Sequence, residues 1–230
     1  MTTAIKYFIA IVFISVPLLS FSQHYKAGDS PIVDSMQFLK PKFVLHYNDE
    51  VVTFTKVDSF IFKQTPVQEI DSYDKSFLTK RKDSLVIIMK NKQYAFIDDS
   101  TTDKRHYGLV QYDGFLKKLK IHLVKVIGWT SSVYYGVHED GALDTLWFAG
   151  VSPTESNTKL IGFQFQPGDF FQVCADTFNT DKNKFEELWD FSFKPEKLYA
   201  FKWINENEFF CVISEHHKRK YYYKVSFRSE

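Results

Sequence analysis

Cysteine is almost missing from this chain, with two in 230 residues. Two cysteines cannot build a disulfide-dense scaffold or a four-cysteine zinc site. There is no charge excess either: 29 Lys+Arg stand against 28 Asp+Glu. That balance argues against a nucleic-acid binder working through a basic face. Past the first 22 residues no apolar run is long enough to span a bilayer. There is no Gly-x-Ser-x-Gly elbow, no phosphate-binding loop, no dinucleotide fingerprint and no Cys-x-x-Cys. No residue stands out as catalytic, cofactor-binding or metal-ligating. What is present is aromatic: 18% Phe, Trp and Tyr, too much for a disordered chain at this net charge.

The first residues read MTTAIKYFIAIVFISVPLLSFSQ, with Lys6 as the only charge. An apolar stretch from Tyr7 to Leu19 ends in small residues at Ser20 and Ser22. A positive start, a short apolar core and a small-x-small site form the pattern of a secretory signal peptide. Its apolar core falls short of the roughly 20 residues of a membrane-spanning helix. Cleavage is expected after Ser22, leaving Gln23 first in a secreted or periplasmic protein with no membrane span. The mature chain keeps 28 charges of each sign, without electrostatic steering toward DNA or anionic lipid.

Residues 23–42 form a mixed N-terminal segment with room for a short helix around Val33 to Leu39. From residue 43 to 230 a single β-rich domain is expected. FVLHY (43–47) and VVTFT (51–55) flank Asn48-Asp49-Glu50. SLVIIMK (84–90) and QYAFIDD (93–99) flank Asn91-Lys92, and GLVQY (108–112) ends at Asp113-Gly114. Runs of β-branched and aromatic residues between such turn signals indicate an all-β fold of antiparallel meanders.

The C-terminal half repeats itself about every 37 residues. Each of three units has an aromatic strand end (Trp129, Phe165, Trp203), a polar turn and an aromatic pair (Tyr134-Tyr135, Phe170-Phe171, Phe209-Phe210). Each then reaches a strand centred on Trp147, Trp189 or Tyr222. Neighbours on a strand point to opposite faces, so an aromatic pair requires both faces of its sheet to be covered. The LWDF run at 188–191, with PGDFF about 20 residues earlier, resembles a blade of a WD-type β-propeller over residues 120–227. That resemblance implies a propeller-like scaffold presenting loops for binding; a β-sandwich is the alternative. Fold alone implies no chemistry.

Cys174 and Cys211 follow aromatic pairs in neighbouring units, so they are candidates for a disulfide in an oxidising compartment, or for two buried thiols. His138-Glu139 begins like a zincin motif, but Ala142 stands where the second histidine belongs. Asp176, Asn179, Asp181 and Asn183 resemble the start of a calcium loop, with Lys184 in place of the turn glycine; a polar connector is the simpler reading. His216-His217, Asp98 to Asp103 and KRKYYYK (218–224) read as solvated turns and a charged hairpin tip. The expected function is therefore an exported, non-catalytic module binding another envelope or secreted protein. The alternatives are a small-ligand or glycan binder using Trp129, Trp147 or Trp203 as platforms, and a carboxylate-dependent hydrolase.

Overall fold

Val, Ile, Phe and Tyr alternate along most of the chain, and the backbone answers with eighteen strands among the described residues. The computed structural model describes residues 11–14, 32–66, 78–81, 84–89, 92–98, 108–128, 132–146, 148, 150–166, 170–194, 197–215 and 219–229.

The strands form four sheets. The first is the meander β5 (Leu78–Arg81), β6 (Ser84–Ile88) and β7 (Gln93–Ile97), with β1 (Ile11–Ile14) parallel along β7. The second is β8 (Gly108–Leu116), β9 (Ile121–Gly128), β10 (Ser132–His138) and β11 (Leu143–Leu146). The third is β12 (Gly150–Pro153), β13 (Lys159–Gln166), β14 (Phe170–Asn179) and β15 (Lys184–Lys194), with β2 (Ile32–Asp34) parallel against β15. The fourth is β16 (Lys197–Asn205), β17 (Glu208–Glu215) and β18 (Arg219–Ser229). Two strands from early in the chain, β4 (Glu50–Lys56) and β3 (Lys42–Tyr47), extend it. The fold is all-β, and its only parallel pairs among the described residues are those of β1 and β2.

The sheets stack in chain order around three apolar cores. Leu85, Ile87, Tyr94 and Phe96 of the first sheet meet Val110, Val124, Val126 and Val133 of the second. The other face of the second sheet, with Ile121, Leu123 and Tyr134, meets Leu160, Cys174 and Phe185 of the third. The largest core lies between the third and fourth sheets, where Val173, Ala175, Trp189 and Phe191 meet Phe54, Trp203, Phe209, Tyr223 and Val225. Val173 and Ala175 thus serve one core while Cys174 between them serves the next, as strand alternation requires. Each large side chain so buried contributes roughly 1.5–3 kcal/mol.

Several sequence expectations change in detail. The 23–42 segment, from Ile32 on, is woven into the domain. Ile32–Asp34 pairs with Ser192–Lys194, the short 3-10 helix Ser35–Leu39 follows, and Phe38 is buried in the largest core. Asp113-Gly114 is a β-bulge inside β8: the register shifts between Tyr112 and Gly114, and Gly114 takes a φ of 140° that suits glycine. The three C-terminal units are each three-strand meanders, but their sheets start at Gly108, Gly150 and Lys197, so no equal step marks the sheet boundaries. Phe165 lies on an inner strand of its sheet and Trp203 on an edge strand, so the two are not equivalent positions.

The one α-helix among the described residues is α1 (Ser59–Gln64). Asp58 caps it by accepting a hydrogen bond from the Phe60 N–H at 2.7 Å. Lys202 fastens it to the fourth sheet, donating to the Phe62 and Thr65 carbonyls at 3.0 and 2.7 Å. The Phe62 ring meets Tyr222 at 5.6 Å.

Candidate functional site

Two places gather polar groups, one closed and one open. The closed place centres on the third sheet, with Asp144 from the second sheet's side and Tyr47 from the fourth's. A bulge after Ala175 sets Asp176 opposite Glu187 across the β14–β15 ladder, two positions from the Cys174–Asp190 pair, with Ala175–Trp189 between. Asp190 is 2% exposed and accepts a hydrogen bond from the Gln172 amide. The Tyr47 hydroxyl donates to Glu187. From the second sheet, His138 Nε2 lies 3.0 Å from Asp144 Oδ2, which also accepts from the Phe185 N–H at 3.2 Å. Burial, then the nearby carboxylates of Glu187, Asp190 and Asp144, push the Asp176 carboxyl up to about 7. A carboxyl poised near neutrality is the electronic arrangement of a general acid. Its charged neighbours, however, are this chain's own carboxylates: Asp190 is buried, Asp144 half-buried and Glu187 exposed.

The open place is the outer face of the fourth sheet. Paired residues across an antiparallel ladder point to the same face, so the register writes this surface out in rows. Lys42, Thr55 and Lys224 form one row. Val44, Thr53, Ser226 and Glu208 form the next, and His46, Val51 and Arg228 the third. The interleaved residues Phe43, Phe54, Val225 and Phe209 face inward to the largest core. α1 lies over the outer face where Tyr222 and Lys202 meet it. The remainder is a groove of about 460 Å³ lined by Lys42, Val51, Thr53, Thr55, Lys224 and Arg228, among others. Val44, in the middle row at the sheet edge, is 44% exposed.

The groove is cationic at its rim. Its one carboxylate, Glu208, pairs with Lys224 at 2.6 Å and accepts from Asn205 at 2.9 Å, contacts that hold its carboxyl below the usual range. Among the described residues Lys42 and Arg228 form no ion pair. Lys42 and Lys224 are two strands apart, about 9.5 Å, and Lys224 and Arg228 are four residues apart along one strand, about 13 Å.

The sequence candidates fall as follows. Cys174 and Cys211 are two buried thiols and not a disulfide, one in the core beneath the second sheet and the other in the largest core. Burial pushes the Cys211 thiol far above its ordinary value, which keeps it protonated and inert. Trp203 is 2% exposed and donates to the Ser152 carbonyl at 2.9 Å, so it is a core residue and no ligand platform. Trp129, Trp147, His216 and His217 lie outside the described residues. The calcium-like stretch is dismantled. Asp176 is enclosed in β14, Asn179 accepts from the Asp181 and Lys182 N–H groups, and Asn183 donates to Asp140 at 2.8 Å. Among the described residues no group of three or more His, Cys, Asp or Glu is placed to hold a metal ion. No helix among them is long and apolar enough to cross a membrane.

The outer face of the fourth sheet was not legible in advance. Its rows bring residues 42–55 against residues 208–228, and only the long-range β4–β18 pairing joins them. No protein-family model matches the chain, and no curated protein matches it in sequence.

Proposed function

We propose that this protein is an exported binding module whose partner docks on the outer face of its fourth sheet. The observation that carries the reading is the groove beside α1, about 460 Å³, ringed by Lys42, Lys224 and Arg228 and floored by Thr53, Thr55 and Val51. Grooves of this size suit a ligand segment with a few placed polar contacts. Export rests on the signal pattern of residues 1–22. The propeller-like resemblance belongs to the same proposal. It is supported by the chain-ordered sheets and by early strands β3 and β4 completing the last one.

Two observations favour a protein partner over the alternatives. A neutral sugar is held by stacking on exposed aromatic faces, and the aromatic residue lining the groove, Phe227, belongs to the core. The carboxyls suited to hydrolytic chemistry lie away from the groove lining.

The test is photocross-linking in the native host from p-benzoylphenylalanine placed at Thr55, on the groove floor, and at Glu155, an exposed position on another sheet's turn. A discrete adduct from position 55 that is absent from position 155 supports the reading. No adduct from 55, or the same adducts from both, counts against it.

A further inference from the structure

The groove's cations are spaced, and the spacing specifies a ligand. Lys224 and Arg228 lie four residues apart on β18 and point to the same face. On β3, Lys42 and His46 repeat that interval in register with them. The four side chains mark the corners of a frame about 9.5 Å wide and 13 Å long. Within the frame are Thr55, Thr53 and Ser226, which offer hydroxyls, and Val44 and Val51, which offer apolar contact. An extended polypeptide advances about 13 Å over four residues and returns its side chain to the same side.

We infer that the occupant of the groove is an extended acidic segment of a partner protein carrying two carboxylates at positions i and i+4. One carboxylate meets Lys42, at the end where Lys224 is engaged by Glu208, and the other meets Arg228, about 13 Å further along the strand direction. The floor hydroxyls bond the segment's backbone between them. Charge complementarity selects the sign: among the described residues the one acid on the face, Glu208, is matched by Lys224, which leaves the charges of Lys42 and Arg228 without an ion-pair partner on the face. Spacing selects a polypeptide over a diffuse polyanion, because a polyanion satisfies a basic face without any preferred interval. The inference rests on the docking-face reading above and adds the chemistry of the ligand.

The experiment uses the processed full chain and fluorescein-labelled peptides, read by anisotropy. The first probe is Thr-Glu-Thr-Val-Thr-Glu-Thr-Val, with glutamates four apart. The second has the same composition with the glutamates adjacent, and the third carries lysine in place of glutamate. Oligomeric dextran sulfate is the fourth probe, used as a competitor. The expected result is saturable binding of the first peptide, at least about tenfold weaker for the second and absent for the third. The double variant Lys42→Glu/Arg228→Glu weakens the first peptide by about tenfold or more, while Lys63→Glu on the exposed side of α1 leaves it unchanged. Both variants alter exposed residues, and equal thermal midpoints confirm that both fold. Equal binding of the first two peptides overturns the inference, as does indifference to the double variant or complete preference for dextran sulfate. If the peptides fail while an adduct still forms from position 55, the inference falls and the docking reading stands. If both fail, both fall.

Discussion

Tyr134 and Tyr135 are neighbours on β10 and serve two different cores. Tyr134 packs with Leu123 and Cys174 between the second and third sheets, while Tyr135 packs with Phe96 between the first and second. The Tyr134 hydroxyl donates to Asp113 at 2.7 Å, at the bulge in β8. The second sheet is therefore a central layer, and its stability is shared by both neighbours. Tyr134→Phe keeps the packing and removes the bond to a charged acceptor, so urea unfolding should show a loss of about 1–3 kcal/mol. A loss below about 0.5 kcal/mol would show that the bulge does not depend on this hydroxyl.

Trp203 stands at the edge of the fourth sheet with its ring against Phe209 and Phe227 at 5.5 and 6.2 Å. Trp203→Ala should cost about 3–5 kcal/mol in denaturant unfolding. A cost under about 1 kcal/mol, together with lost ligand binding, would move this side chain from the core to a binding role.

Asp176 makes an unusual contribution to pH dependence. Its carboxyl ionises near 3.8 when unfolded and near 7 when folded. Folding therefore takes up a proton between those values, and stability falls as pH rises through the window. Asp176→Asn removes that penalty. The variant should match the native chain near pH 4 and exceed it by up to roughly 4 kcal/mol at pH 8. His122 acts in the opposite sense: burial pushes its imidazole down to about 4, so its contribution is lost as pH falls from 6.5 toward 4. In the native chain the two slopes oppose each other across most of that range, and Asp176→Asn should unmask the acid-labile limb. A constant offset between variant and native chain at every pH would refute this account.

The first 22 residues contain β1, which lies parallel on the edge of the first sheet. If those residues are an export signal, the mature protein begins at Gln23 and keeps the β5–β7 meander without it. The mass of the exported protein should correspond to cleavage after Ser22, and a chain starting at Gln23 should unfold at the same urea midpoint as the exported form. An exported protein retaining Met1 would contradict the assignment.

Much of the fold was readable from local chemistry. The β-branched and aromatic runs flanking Asn48-Asp49 became a hairpin, because strand pairing follows alternation and turn residues. Asp113-Gly114 misled, because a bulge and a turn use the same glycine freedom. α1 left too short a trace: six residues, none of them buried, carry no apolar periodicity, and only the Asp58 cap marks its start. The polar clusters were invisible for a different reason. Tyr47, Asp144, Asp176, Glu187 and Asp190 come from three sheets, and a bulge is needed to bring Asp176 opposite Glu187. The docking face needs the β4–β18 pairing, which no local pattern encodes.

The most direct measurement combines the photocross-linker at Thr55 with the Lys42→Glu/Arg228→Glu double variant in the native host. The account predicts a discrete partner adduct from the native groove and its loss in the charge-reversed chain, with expression and export unchanged. An adduct of the same size and yield from both chains would contradict the claim that this cationic face is where the protein binds.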